Sequence, residues 1–214
     1  MNIENLRQAV RPYLKEKRYL HTLAVEKEAA ALGEIFLPDK IESLRTAALL
    51  HDITKKEDIT KQLQYCAEFG IIVAEEEKFS PKIFHARTAA AVAKRDFPEW
   101  VDEEILNGVR YHTTGRADMT VFEAIVYLAD YIEETRTFPD CITLRQYFYE
   151  NIEKASDTEE KLAVLTDTMI LSFDMTLRNL MEENAPIDSD TIAARNFYVY
   201  KKLSAGKGRP KIQA

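Results

Sequence analysis

Apolar residues recur at intervals of three and four through most of this chain. Examples are Leu6, Val10 and Leu14 near the start, and Leu165 and Met169 further on. This spacing places the apolar side chains on one face of an α-helix. The 214 residues also include only 6 glycines and 7 prolines, too few turn residues for an all-β fold or a dinucleotide-binding βαβ fold. The sequence therefore predicts an all-α protein.

Turn and capping residues divide the periodic segments into about eight to ten helices. Thr120 and Glu123 form a capping-box motif before the apolar run VFEAIVYLADYI, and Ser80 with Pro81 predicts another helix start. An apolar content of 46% is enough for one core, and no linker interrupts the chain. We expect one helical-bundle domain over residues 1–200, followed by a basic, frayed C-terminal tail over residues 201–214.

Charge and cysteine content exclude several classes of protein. The 36 acidic residues outnumber the 29 basic ones, and a net charge of -7 argues against binding to duplex nucleic acid. Cys66 and Cys141 form neither a zinc-knuckle pattern nor a disulfide framework, which predicts a reducing cytoplasm. No apolar run approaches the ~20 residues that span a bilayer, so we expect no membrane partner.

The chain has only 4 histidines, and each lies in or beside an apolar helical segment. They are His21, His51, His85 and His112. A single histidine on an apolar face is usually a core side chain with one hydrogen bond. Because all four share this setting, we predict that they act together.

Two aspartates also lie in apolar surroundings. Asp52 ends the stretch LRTAALLHD and Asp130 interrupts AIVYLADYI. An isolated ionised carboxylate in such a place costs at least several kcal/mol, and no lysine or arginine lies one helical turn from Asp130. A metal ion would supply the missing charge. Imidazole and carboxylate ligands together favour iron, manganese or zinc over magnesium or calcium.

The order of His21, His51-Asp52 and Asp130 along the chain resembles the pattern of the HD-domain superfamily of metal-dependent phosphohydrolases. Over roughly residues 5–185 the chain is similar to bacterial symmetrical bis(5'-nucleosyl)-tetraphosphatases of the YqeK type. The similar segments are RYLHTLAVEKEAAAL, AALLHDITK, FHARTAAAVAKRDFP and VRYHTTGRADMTVFEAIVYLADYIEETRTFPDC. The resemblance implies an HD-domain bundle that cleaves diadenosine tetraphosphate into two ADP by attack of a metal-activated water.

Residue roles follow from the same resemblance. It implies that the metal, expected to be iron with manganese or zinc as alternatives, is held by His21, His51, Asp52 and Asp130. It further implies that Asp52, His85 and His112 act in catalysis. His85 and His112 either bind a second metal ion or contact phosphate, and the sequence leaves both possibilities open.

Basic and hydroxyl side chains near these residues are candidates for phosphate binding. Arg18 precedes His21 by three residues and Lys55 follows His51 by four, so each can share a helix face with a proposed ligand. No glycine-rich phosphate loop is present, so binding depends on the metal and on side chains. The complete predicted substrate-binding set is Arg18, Lys55, His85, His112, Thr113, Arg116 and Arg136.

Two alternative functions remain at this point. One is a different HD phosphohydrolase activity, on a deoxynucleotide, a guanosine alarmone or a cyclic dinucleotide, because the fold and metal centre do not determine the substrate. The other is a nucleotide-binding regulator without turnover. The resemblance favours a dinucleoside polyphosphate as substrate and is compatible with a homodimer.

Overall fold

The protein, described over residues 2–206 in a computed structural model, contains ten α-helices, four short 3-10 turns and, within those residues, no strand. The helices are α1 (Ile3–Val10), α2 (Glu16–Phe36), α3 (Ile41–Leu50), α4 (Ile59–Glu68), α5 (Phe84–Asp96), α6 (Glu103–Tyr111), α7 (Val121–Ile132), α8 (Pro139–Ile152), α9 (Thr158–Glu182) and α10 (Ser189–Gly206). The predicted all-α class is confirmed, and the number of helices is at the upper end of the expected range.

Helix α7 forms the centre of the bundle. Nine of its residues are buried, and it packs against α2, α3, α6 and α8. A helix that is apolar on all sides is stable only when neighbours cover it, and each fully buried leucine or isoleucine, such as Leu128, contributes about 1.5–3 kcal/mol. Because α7 is central, Asp130 near the C-terminal end of this helix lies among the surrounding helices.

The capping box at the start of α7 is confirmed. The Thr120 side chain accepts from the Glu123 amide, and the Glu123 carboxylate accepts from the Thr120 amide at 2.9 Å. The predicted cap at Ser80 is wrong, because α5 begins at Phe84 after a short turn and no side chain caps that turn. The Ser80 hydroxyl instead donates to the carbonyl of Pro186 at 2.9 Å, a contact between segments distant in sequence.

The loop between α6 and α7 turns tightly against α9 and α10. Gly115 has a φ of +64°, and a Cβ atom there would lie 2.7 Å from the ring of Phe173 and 3.0 Å from Ala194. Only glycine combines this backbone conformation with such a close approach. The turn therefore brings the residues after His112 down onto the core.

Helix α10 continues to Gly206, so residues 201–206 of the segment expected to fray are helical. Residues 207–214 lie outside the described part of the chain, and the division into a domain and a tail stays a prediction. Among residues 2–206, no helix combines the length and the apolar character required to cross a bilayer.

Candidate metal centre

Six polar side chains converge beside α7 from five different helices. One lies in the second turn of α2, two directly follow α3, one lies in the first turn of α5, one follows α6 and one is near the end of α7. Five of them are at most 8% exposed, and the sixth is half-buried. In the order just given they are His21, His51 and Asp52, His85, His112, and Asp130. The structure thus brings together all the predicted metal ligands and both additional histidines.

All four histidines are oriented in the same way, with the Nδ1 atom hydrogen-bonded to an oxygen. The acceptors are Glu133 for His21 and the carbonyls of Ala48, Lys82 and Val109 for His51, His85 and His112, at 3.0, 2.6, 2.6 and 2.7 Å. A carbonyl oxygen only accepts, so Nδ1 carries the proton in the last three, and the Glu133 carboxylate favours the same tautomer in His21. In the neutral form of each imidazole, Nε2 therefore has a lone pair that points into the cluster.

Two of these Nε2 atoms face the carboxylates on the α2 side of the cluster. Nε2 of His21 lies 3.0 Å from Oδ1 of Asp130, and Nε2 of His51 lies 3.3 Å from Oδ2 of Asp52. Nε2 of His51 is also 3.8 Å from Oδ1 of Asp130. Both nitrogens are buried and make no hydrogen bond of acceptable geometry to any described residue. Ligands that bind one ion at about 2.0–2.1 Å are about 3.0–3.4 Å apart, so this arrangement fits a shared cation.

The other carboxylate oxygen of Asp52 faces the second pair of histidines. Oδ1 of Asp52 lies 3.2 Å from Nε2 of His85 and 3.7 Å from Nε2 of His112. The two Nε2 atoms are 3.0 Å apart, and their lone pairs repel unless a donor or a cation lies near them. Lys55 Nζ at 3.0 Å and Thr113 Oγ1 at 3.2 Å from Nε2 of His85 are the nearby donors.

The protonation states of this region suit the binding of a cation. Burial lowers the pKa of His85 to about 4 and also lowers the pKa of His112, so both imidazoles are neutral at pH 7. Burial opposes ionisation of Asp52, but the polar groups that face this carboxyl hold its pKa well below the ordinary value, and Arg18 donates to its Oδ2 at 2.9 Å. Neutral imidazoles and an ionised carboxylate are the forms in which these groups bind metals.

Two arginines provide positive charge beside the carboxylates. Arg18 Nη1 donates to Oδ2 of Asp52 at 2.9 Å, and Arg136 donates to Oδ1 and to the backbone carbonyl of Asp130. Burial opposes ionisation of Asp130, but the positive charge of Arg136 outweighs this effect and keeps the pKa of Asp130 well below its ordinary value. The sequence argument that Asp130 lacks a counter-charge was wrong, because Arg136 reaches back from six residues beyond it. The indication of a metal therefore comes from the unpaired Nε2 atoms and not from charge alone.

Arg116 does not reach this cluster. Its guanidinium donates to the buried carboxylate of Glu123 at 2.8 Å, at the other end of α7 from Asp130, and the ring of Tyr111 lies against it. A buried carboxylate needs such a partner. The role expected for Arg116 in phosphate binding is therefore not supported, whereas Arg18, Lys55, Thr113 and Arg136 all lie at the cluster.

The sequence interpretation missed one residue that orients the site. Glu133 is fully buried and accepts from Nδ1 of His21 and from the amide and hydroxyl of Thr135. An acidic residue at the C-terminal end of a helix is unfavourable for the helix dipole. Its position directly after α7 was therefore the signal that could have identified it.

A cleft of about 610 Å³ opens beside the cluster, a size typical of small-molecule sites. Its lining includes Lys55, His112, Thr113, Asp130 and Arg136. Of the predicted metal ligands Asp130 lines this cleft, and so do four of the seven predicted phosphate-binding residues.

The model of the family described as "HD domain" matches residues 18–135. This range contains all six clustered residues and covers more than half of the chain. This chain belongs to the HD-domain family. The resemblance seen in the sequence is confirmed, and the relatives extend it beyond the matched range.

Three relatives from bacteria are similar to this chain over nearly its whole length. A Bacillus subtilis protein named symmetrical bis(5'-nucleosyl)-tetraphosphatase is 33% identical, with 93% of this chain and 98% of the relative covered. Proteins of the same name from Staphylococcus aureus and Halalkalibacterium halodurans are 32% and 31% identical, with 94% and 92% of this chain and 96% of each relative covered. A crystal structure from Clostridium acetobutylicum, described as a predicted HD superfamily hydrolase involved in NAD metabolism, has a TM-score of 0.80 and 30% identity, and covers 94% of this chain and 99% of its own.

Proposed function

We propose that this protein is a metal-dependent hydrolase that cleaves diadenosine tetraphosphate symmetrically into two ADP. The observation that carries the metal site is the common orientation of the four histidines, whose Nδ1 atoms are held by oxygens while their Nε2 atoms face two ionised carboxylates. The substrate is proposed from the names of the relatives, which align with this chain almost from end to end.

In this proposal His21, His51, Asp52 and Asp130 hold the metal, because Nε2 of each of these two histidines lies 3.0–3.9 Å from an oxygen of both aspartates. Two imidazoles with two carboxylates suit iron, and manganese or zinc also accept this donor set. A metal ion held there supplies a Lewis acid for the phosphoryl oxygen and lowers the pKa of water to near 7. Two triads that share His51 could each hold an ion: His21, His51 and Asp130, and His51, Asp52 and His112. Within each triad the donor atoms lie within 4.8 Å of one another. Metal analysis therefore has to count the ions as well as identify them.

The remaining residues are assigned to proton transfer and to phosphate. Asp52 and the neutral His85 and His112 are placed to accept or donate a proton. Lys55 and Thr113 lie beside His85, where they can offset the negative charge that develops on the phosphates. Burial lowers the pKa of Lys55, and a phosphate bound beside it would favour the charged form of this lysine.

Arg18 and Arg136 are assigned to phosphate as well. Each guanidinium donates to a carboxylate oxygen that is also a proposed metal ligand. Arginine pairs with phosphate as readily as with carboxylate. Substrate phosphates can therefore replace the carboxylates as partners of these two residues.

The decisive experiment is product analysis with a panel of nucleotides. Protein purified without chelator is analysed for bound metals and incubated with diadenosine tetraphosphate, ATP and NAD, and the products are separated. ADP as the sole product of diadenosine tetraphosphate, with activity lost on chelation, is expected. AMP and ATP would contradict symmetric cleavage, preferred cleavage of NAD would indicate a different dinucleotide as substrate, and binding without products would favour the regulator.

Two further properties belong to the proposal. Cys66 and Cys141 are buried free thiols, which supports the predicted cytoplasmic location. The homodimer compatible with the sequence stays a prediction, and light scattering after gel filtration measures it.

A further inference from the structure

Two phenylalanine rings lie exposed in the cleft that leads to the metal cluster. Phe79 is 77% exposed and Phe138 is 66% exposed, and both line the same cleft as His112 and Asp130. Single exposed apolar residues are common on protein surfaces. Two aromatic rings in one ligand-sized cleft are unusual enough to need an explanation, because each forgoes the free energy that burial would provide.

The chain connects each ring directly to the polar end of the cleft. Phe138 follows Arg136, which contacts Asp130, by two residues. Phe79 precedes the short turn that leads into His85 at the start of α5. The cleft therefore combines ionic groups with flat apolar surfaces, and this pattern matches a nucleotide, which has charged phosphates at one end and a planar base at the other.

The segment that carries Phe79 is held firmly although its ring is exposed. Buried Arg87 donates to both carboxylate oxygens of Glu77, at 2.9 and 2.6 Å, and to Asp188 at 2.9 Å. The Ser80 hydroxyl adds a bond to Pro186. These contacts join the segment before α5 to the segment before α10, and the cleft runs along both. A ring on a fixed backbone loses little entropy when a ligand stacks on it.

We propose that Phe79 and Phe138 form a nucleobase subsite, in which they stack on an adenine ring whose phosphates lie at the metal cluster. This inference rests on the proposed function and adds to it the part of the protein that recognises the base. Base stacking on aromatic side chains tolerates any base, so the subsite distinguishes nucleotides from base-free phosphates and does not select adenine over guanine.

Calorimetric binding of ADP and of methyl diphosphate, a ligand with the same phosphates but no base, tests the subsite. The variants are Phe79→Ala and Phe138→Ala, with Tyr200→Ala as a matched control, because Tyr200 is 69% exposed and does not line the cleft. Each phenylalanine variant is expected to weaken ADP binding about 5- to 150-fold, as the loss of one stacked base does. Binding of methyl diphosphate should be unchanged in all three variants, and Phe79→Trp should retain ADP binding.

The paired subsite would be overturned if a phenylalanine variant bound ADP and methyl diphosphate with equally reduced affinity. Unchanged ADP affinity in either phenylalanine variant would also overturn it. Both positions are exposed, so circular dichroism should show native helical content in every variant. The measurement involves no turnover. A protein that fails to cleave diadenosine tetraphosphate but still shows the base-dependent difference would disprove the proposed reaction and leave the subsite standing.

Discussion

Replacement of Glu133 by glutamine tests whether a buried carboxylate orients the metal site. Oε1 of Glu133 accepts from Nδ1 of His21 at 3.0 Å and from the Thr135 hydroxyl at 2.8 Å, and Oε2 accepts from the Thr135 amide. Glutamine offers one acceptor oxygen and places an NH₂ group where the other carboxylate oxygen was. At least one buried donor then faces another donor, and the imidazole of His21 is held less firmly.

The contacts of Glu133 set the size of the expected losses in metal affinity and in folding stability. Removal of a group that orients a metal-binding histidine typically lowers metal affinity 10- to 100-fold, which corresponds to about 1.4–2.7 kcal/mol. A buried donor without a partner costs about 1–3 kcal/mol of folding stability as well. Both losses should appear in Glu133→Gln, since Glu133 is fully buried.

Competition with a chromophoric chelator measures the metal affinity, and urea denaturation with excess chelator measures the stability of the metal-free fold. Glu134→Gln is the matched control, because this neighbouring carboxylate is exposed and pairs with Lys27 at the surface. Its metal affinity should equal that of the wild type. An affinity of Glu133→Gln within twofold of the wild type would refute the argument that this carboxylate orients His21.

Four further predictions follow from the structure. His51→Ala should lose bound metal and turnover with its helical content intact, and full metal occupancy in the purified variant would exclude His51 as a ligand. Arg136→Met should keep the metal but lower kcat/KM about 10- to 1000-fold, because it removes the proposed contact to phosphate; unchanged kinetics would contradict this. Burial raises the pKa of Glu28 above its ordinary value of 4.5, so the Glu28 carboxyl holds its proton more tightly in the folded state than in the unfolded state. Wild-type unfolding free energy should therefore fall, relative to Glu28→Gln, as pH rises through the folded pKa, and parallel urea-denaturation curves from about pH 4 to pH 8 would disprove this. Gly115→Ala should cost about 2–5 kcal/mol, from backbone strain and a ring 2.7 Å away, whereas Gly70→Ala, with a φ of +66° and open space, should cost about 1–2 kcal/mol. Equal losses of unfolding free energy in the two variants, measured by urea denaturation, would show that the close approach to Phe173 is unimportant.

The features that depend on short stretches of chain could be predicted from the sequence. The apolar period predicts the helices, and the Thr120–Glu123 capping box forms as expected, because its partners are three residues apart and meet in any helix that starts there. The order of His21, His51-Asp52 and Asp130 likewise pointed to the HD-domain family, which the comparison confirms.

Contacts between distant segments were decided only by the tertiary structure. Ser80 bonds to Pro186, 106 residues away, and not to the next helix. Glu133 reaches His21 across 112 residues, and Arg116 pairs with Glu123 and does not line the cleft beside the cluster. Local pattern rules describe partners within about one helical turn, whereas these pairings depend on how separate helices pack around α7. The sequence determined which side chains were available, and the packing of the helices determined which of them meet.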